Sequence, residues 1–408
     1  MFTLGSFEPR APANQERSFG GALADLAQRY GLAAIVFGAI VYGSLYPFAF
    51  YDAGSFGADV SHLAGTWNRP AQSRGDIVIN LLLYLPLGFT AMQAIGWGRA
   101  RRRAAMLAVA LGAVLSLSLE LTQFYDHGRF SALSDVYLNI AGAALGSVLA
   151  GAGAARRLHL SWPSGGTAAF ARMLLVAWLG WQLFPYAPVI DLHKYWRSVQ
   201  PLLQGSGMGF YDVFRCTVLW LSLIFLAQIG LQRPLRFLLL AVAVFFFAKI
   251  LIVGQYVFLP DIAGAGLALV AWLAIRRRFD AALVPVAVLF AAMVVLTRIL
   301  PLQWEPEPKP FQWIPFFGFL HGSLRFNIIA LWEKLYLYGA LLLLAVKAGI
   351  RPGIAVTLAC AILLATSVLQ MFLAGRSAEI TDAVLVLLLG LIYRLLKDWF
   401  PESSPARA

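Results

Sequence analysis

The stretch ELTQFYDHGRFSALSDVYLN, residues 120–139, places Glu120, Gln123, Arg129, Asp135 and Asn139 within a chain otherwise dominated by apolar runs. Glu120 and Gln123 are spaced i, i+3, and Asp135 and Asn139 i, i+4, so on helices each pair shares a face. Upstream, Asp76 and Asn80 repeat the i, i+4 spacing, with Arg74 just before them. Asn80, Glu120 and Asn139 each fall about one turn inside the outer end of an apolar segment. Polar groups at matched depth on three helices are expected to face one another, because facing lipid is costly. Arg129 sits in the connecting loop, within reach of Asp135 or Asp76. Such a cluster can coordinate an anionic head group, relay a proton, or hold Glu120 as a general base. Taken alone, Asn80 and Asn139 read equally well as interhelical hydrogen bonding, worth about 0.6 kcal/mol per bond in membrane bundles.

The elements that carry these residues follow from composition. Of 408 residues, 60% are hydrophobic and 13% charged, and the mean hydropathy is +0.73. A soluble chain carries about 25% charged residues. Apolar runs near the length of a membrane span recur throughout, so an all-α, polytopic helical bundle is expected. The formal charge of +12 resides in short basic clusters between those runs, the signature of membrane topology and not of nucleic-acid binding. Cys216 and Cys360 lie inside apolar segments, and His62, His127, His193 and His321 lack metal spacing, so neither metal nor cofactor is expected. The first 29 residues show no signal-peptide pattern.

Twelve spans are read, at roughly 30–50, 76–96, 104–124, 134–154, 170–190, 210–231, 236–257, 261–275, 281–300, 327–346, 353–373 and 380–397. Basic residues follow every even-numbered span: Arg99 and Arg101 to Arg103, Arg156 and Arg157, Arg233 and Arg236, Arg276 to Arg278, Lys347 and Arg351, and Lys397. The positive-inside rule then makes both termini cytoplasmic and turns the 120–139 stretch outward.

That stretch has a second copy. Gln123, Gly128, Arg129 and Asp135 recur as Gln370, Gly375, Arg376 and Asp382 at identical spacing, and Arg74 and Asp76 recur as Arg325 and Asn327. Asp212 and Asp261 open two spans of a degraded middle copy. YPF at 46–48, FPY at 184–186 and LPL at 300–302 each precede a long outer loop. The division expected is a cytoplasmic segment 1–29, four-helix units 30–157, 158–280 and 281–397, and a cytoplasmic tail 398–408. Parallel repeats of this kind are related by an axis along the membrane normal. The third unit replaces Glu120 with Ser367 and Asn139 with Val386 while keeping an Arg–Asp staple, which points to one active unit and scaffolding copies.

Weaker features complete the sequence. Pro86 is expected to kink the second span, and Gly142 and Gly146 form a small-residue packing face. Lys249, Glu333 and Lys334 are charges within apolar runs, read as local pairs, snorkelling or a substrate path. The loop PLQWEPEPKPFQWIPFF (301–317) offers either an interfacial aromatic belt or a platform for stacking sugar.

The segments RGDIVINLLLYLPLGF, LELTQFYDHGR and SDVYLNIAGAALG, within 74–146, resemble the VanZ-like family, whose pattern is an Asp- or Asn-headed span leading to Pro-x-Gly and then Glu-x-x-Gln, Gly-Arg, Asp, Asn and Gly. The family is named for an accessory protein of teicoplanin resistance and also occurs in envelope polysaccharide settings. The resemblance implies a bacterial inner-membrane protein of envelope biology without supplying a reaction. Joined to the residues, it leads to an outward cluster that binds or processes a polyprenyl-phosphate-linked or similar anionic substrate, a lipid-linked glycan or a glycopeptide. The alternatives are a transporter or flippase with a pathway between the units, and a scaffold for other envelope-assembly proteins. A transporter predicts polar residues reaching the inner halves of the spans, which here are nearly all apolar.

Overall fold

The computed structural model describes residues 19–46, 48, 50, 56–66, 74–96, 101–126, 131–152, 165–204, 209–232, 235–321 and 324–400. Every regular element among them is a helix, and extended pairing is limited to isolated bridges. Two compact units divide the chain at Arg157 and Leu158.

The first unit comprises α1 (Phe19–Leu45), α2 (Phe56–Gly65), α3 (Arg74–Ile95), α4 (Arg101–Gln123) and α5 (Leu133–Ala152). Its most extensive contact is α3 on α5, with α4 against both and α1 against α3 and α4. Glycine makes the α3–α5 approach possible. A Cβ at Gly142 would lie 2.3 Å from Leu81 O, and one at Gly146 would lie 2.0 Å from Leu85 O. The reciprocal Gly88 meets Ala143 O in the same way. The small-residue face read from the sequence is thus the place where two backbones touch. Tyr84, Leu87, Leu115 and Leu119 fill the core beside Ile40 of α1. α3 continues as one helix through Pro86, where the Thr90 hydroxyl donates to Pro86 O at 2.7 Å.

The second unit comprises α6 (Gly166–Leu183), α7 (Leu192–Leu203), α8 (Phe210–Leu231), α9 (Leu235–Leu251), α10 (Leu259–Ile275), a 3-10 turn (Arg276–Arg278), α11 (Phe279–Ile299), α12 (Phe317–His321), α13 (Leu324–Lys347), α14 (Pro352–Leu369) and α15 (Thr381–Trp399). α8 packs chiefly on α10, α13 on α6, and α14 on α15. Gly264 lets α10 close on α8, since a Cβ there would lie 2.5 Å from that of Cys216. Phe170, Phe225, Phe290, Tyr336 and Leu343 form part of one continuous core.

The connections read as long outer loops are partly helical: α2, α7 and α12 lie in them. α7 begins at Asp191, whose carboxylate accepts from His193 N at 2.9 Å, a side-chain cap that satisfies an otherwise orphaned donor.

Six helical segments among the described residues are long and apolar enough to cross a membrane: Arg101–Gln123, Leu133–Gly151, Phe210–Leu231, Leu259–Ile299, Phe326–Lys347 and Pro352–Phe372. Leu259–Ile299, at 41 residues, contains α10 and α11 joined by the 3-10 turn. Arg29–Leu45, Asn80–Ile95 and Phe237–Leu251 are shorter apolar helices. Met106, Val114 and Val148 project from α4 and α5 with most of their surface uncovered, as helix faces meeting lipid require. The chain is a multi-pass membrane protein.

Candidate functional site

In the first unit Glu120, at the end of α4, is only 6% exposed. Its Oε2 accepts from Ala132 N at 2.9 Å, and its backbone carbonyl accepts from Ser131 Oγ at 2.6 Å. The acid therefore fastens the chain entering α5 onto the end of α4. Thr66, closing α2, meets the same segment: its Oγ1 accepts from Leu133 N at 3.0 Å and donates to Leu63 O at 2.7 Å. Together they satisfy backbone donors that the start of α5 leaves open.

Asn139 lies deeper on α5, buried, and its Nδ2 donates to Ser116 Oγ at 2.9 Å while its Oδ1 has no partner among the described residues. Tyr84 of α3 is buried beside Ser116 and within electrostatic reach of Glu120. Gln123 Nε2 donates to Ser44 O at 2.8 Å, tying α4 to the end of α1. Asp135 is half-buried at the start of α5, with Ser134 Oγ 3.5 Å from Oδ1. Asn80 is half-buried and makes no side-chain hydrogen bond among the described residues. Among the described contacts Asn80, Glu120 and Asn139 are thus not joined to one another directly; Ser116, Ala132 and Thr66, which carry no motif signal, complete the arrangement. Arg129 lies outside the described residues, as do the side chains of Arg74, Asp76 and Arg325.

The third-copy residues assemble a denser centre around Arg298, in the last turn of α11. Its Nε donates to Thr366 Oγ1 at 2.6 Å, and its Nη1 donates to Tyr338 OH at 2.7 Å and to Asp382 Oδ2. Its Nη2 donates to Ser367 Oγ at 2.7 Å and Gln370 Oε1 at 3.3 Å. Lys334 Nζ lies 2.7 Å from the other Asp382 oxygen. Glu333, its neighbour on α13, faces the charges of Arg215, Lys334 and Arg376. The expected Arg376–Asp382 staple is replaced: Arg376 Nη2 donates to Thr297 O at 3.1 Å and to Leu300 O, holding its loop to the end of α11. Asn327 Nδ2 donates to Phe319 O, fixing α12 on α13. No motif of the sequence points to Arg298; the residue in the matching contact of the first unit, Ser44, is uncharged.

The segment expected as a degraded middle copy shares spacing and contacts with the other two. Lys249, Gly254, Gln255 and Asp261 repeat the spacing of Gln370, Gly375, Arg376 and Asp382. Gly254 and Gly375 both take the left-handed conformation, φ 71° and 68°, which disfavours any residue with a Cβ. Gln255 Nε2 donates to Phe184 O at 2.6 Å, the counterpart of the Arg376 contact with Leu300 O. Gln370 Nε2 donates to Arg298 O at 2.9 Å, as Gln123 does to Ser44 O. Lys249 pairs with Asp261 Oδ2 at 3.1 Å, which settles its reading as a local pair. Isolated bridges Phe50–Asp126, Pro188–Ile252 and Trp304–Leu373 fall at matching places.

In the loop 301–317, Lys309 Nζ donates to Leu373 O at 2.9 Å and pairs with Glu305 at 3.0 Å, while Trp304 and Trp313 remain exposed. No group of three His, Cys, Asp or Glu side chains able to hold a metal occurs among the described residues.

Neither a curated protein nor a solved structure matches the chain. Residues 29–153 match the family model VanZ/LLP1, the segment that holds Glu120, Gln123, Asp135 and Asn139, so the first unit of this membrane protein is a VanZ-like domain.

Proposed function

We propose that the chain is a twelve-span protein of the bacterial inner membrane with cytoplasmic termini, whose VanZ-like unit binds or processes a lipid-linked envelope substrate or a glycopeptide at the outer leaflet. The observation that carries this reading is the buried Glu120–Asn139 pair of levels at one end of α4 and α5. The third copy places Ser367 and Val386 at those positions, and the middle copy, in the same register, places Phe246 and Ala265. Polar groups that the shared framework does without are better explained by a task than by packing. The repeated Gln-to-backbone contacts and the repeated left-handed glycines support three four-helix units of one design.

Polar centres at Glu120, Lys249–Asp261 and Arg298–Asp382 all sit at the helix ends that the basic clusters assign to the outside. That distribution favours binding near the outer leaflet over a path through the bilayer. The test is to extract the intact protein gently and identify what co-purifies by mass spectrometry. A lipid-linked or glycan species retained by the wild type and lost in Glu120→Gln is the expected result. Equal retention by Glu120→Gln would reduce the cluster to helix pinning.

A further inference from the structure

Asp126 lies just beyond α4, 2% exposed, and neither of its carboxylate oxygens has a hydrogen-bond partner among the described residues. A buried carboxylate normally collects donors, since leaving it without them is costly. The copies say what the framework alone asks for. Asp126 bridges Phe50 three residues after Gln123; Ile252 bridges Pro188 three residues after Lys249, and Leu373 bridges Trp304 three residues after Gln370. Both counterparts are apolar and buried, at 8% and 0% exposure. The position is a hydrophobic plug in two units and an unpartnered acid in the VanZ-like one.

Its surroundings are aromatic. Opposed residues of an antiparallel bridge carry their side chains on the same side, with Cβ atoms about 5 Å apart, so Phe50 flanks Asp126. Phe50 is 47% exposed and Phe48 44%. Their ring centroids are 6.4 Å apart, and Phe48 continues into Tyr42 at 5.6 Å and Tyr46 at 6.2 Å. A buried acid with two unsatisfied acceptor oxygens beside exposed aromatic faces complements a sugar. Vicinal hydroxyls donate to the carboxylate, while the C–H face of the ring rests on an aromatic one. A phosphate, which brings acceptors and negative charge, is repelled by the same acid.

We propose that Asp126, Phe48 and Phe50 form a sugar-binding subsite at the rim of the first unit. This rests on the outer-leaflet reading above and assigns the glycan part of the ligand, not its phosphate, to this end. Asp126 is buried, so binding in this subsite requires the segment at Phe50, held to it by a single bridge and no ladder, to give way to the sugar.

The full-length protein in lipid nanodiscs is applied to an array of neutral and acidic mono- and oligosaccharides, with choline and inorganic phosphate as further probes. Asp126→Leu, which copies the residue of the third unit, is expected to fold with unchanged or higher thermal stability. Its sugar binding is expected to fall about tenfold or more, the loss of hydrogen bonds to a charged acceptor. Phe50→Leu is expected to weaken sugar binding with little change in stability. Undiminished sugar binding by Asp126→Leu overturns the subsite, as does wild-type binding of choline or phosphate in preference to any sugar. If Glu120→Gln loses its co-purifying ligand while Asp126→Leu keeps sugar binding, only the subsite falls. If the wild type binds no sugar and retains no ligand, both readings fall.

Discussion

Arg298 and Asp382, 84 residues apart in sequence, meet as a buried ion pair, with Lys334 on the second carboxylate oxygen. In the first unit the corresponding positions are Ser44 for Arg298, Asp135 for Asp382 and Glu120 for Ser367. Where the VanZ-like unit carries an acid at the end of α4, the end of α14 carries the hydroxyl of Ser367, and the charge there is Arg298 at the end of α11. On the proposed three-unit reading, the two sites are complementary variations on one scaffold.

Removing one partner of that centre is expected to be severe. Asp382→Leu strands Arg298 and Lys334 without their shared anion, and breaking a buried pair this way costs about 3–5 kcal/mol. Arg298→Leu added to Asp382→Leu removes one stranded cation and is expected to recover part of the loss. Thermal unfolding in detergent, arranged as a double-mutant cycle, measures the coupling. Additive losses would mean that the two side chains do not depend on each other.

Glu120 invites a finer dissection, because it both carries charge and pins Ala132 N. Glu120→Gln keeps a carbonyl oxygen for that donor and is expected to retain the fold. Glu120→Ala removes the acceptor and leaves a backbone N–H unsatisfied, a loss of about 1–3 kcal/mol. Ligand retention is expected to fail in both variants, while stability separates them. Similar stability of the two would show that the Ala132 contact contributes little.

The α3–α5 contact is testable through its glycines. Gly142→Ala and Gly146→Ala drive a methyl group into the carbonyls of Leu81 and Leu85, and overpacking of this kind costs about 1–3 kcal/mol each. Gly266→Ala, with nothing within 4 Å of its added Cβ, is the control and is expected to be neutral. Melting temperatures that drop equally in all three would indicate a general helix effect and not contact between backbones.

The helical, multi-pass character was legible because apolar runs and small-residue spacing are local signals. Gly142 and Gly146 marked their own contact. The first span is expected from about residue 30, where the apolar part of α1, Arg29–Leu45, begins; the helix itself extends back to Phe19 through turns of mixed polarity that carry no span signal. Lys249 illustrates what letter matching misses. It lies at the offset from Asp261 that Gln123 has from Asp135 and Gln370 from Asp382, but a lysine in place of a glutamine leaves Asp212, Asp261 and the FPY corner as the letters that suggest a middle copy. Arg298 was illegible for another reason: its partners come from α13, α14 and α15, and no spacing rule reaches across such separations. Asp126 stood in plain view within the motif, but an unpartnered acid has meaning only once burial is known.

Orientation is the remaining expectation with a direct test, and it bears on every site above. The basic clusters place Arg101 inside, and the end of α6 then runs outward to Ile190, which is 99% exposed. Cys216 is buried and Cys360 partly so, and replacing both with serine gives a clean background for single-cysteine labelling. In that background His127→Cys and Ile190→Cys are expected to react with a membrane-impermeant maleimide added to intact cells, and Arg101→Cys only after the membrane is opened. The two outward positions come from different compact units, so their agreement tests the parallel orientation of the copies as well as the sign of the topology. Labelling of position 127 without position 190 would leave the first unit outward but overturn the parallel arrangement. Labelling of position 101 in intact cells would move the Glu120 and Asp126 sites to the cytoplasmic side, away from any periplasmic glycan.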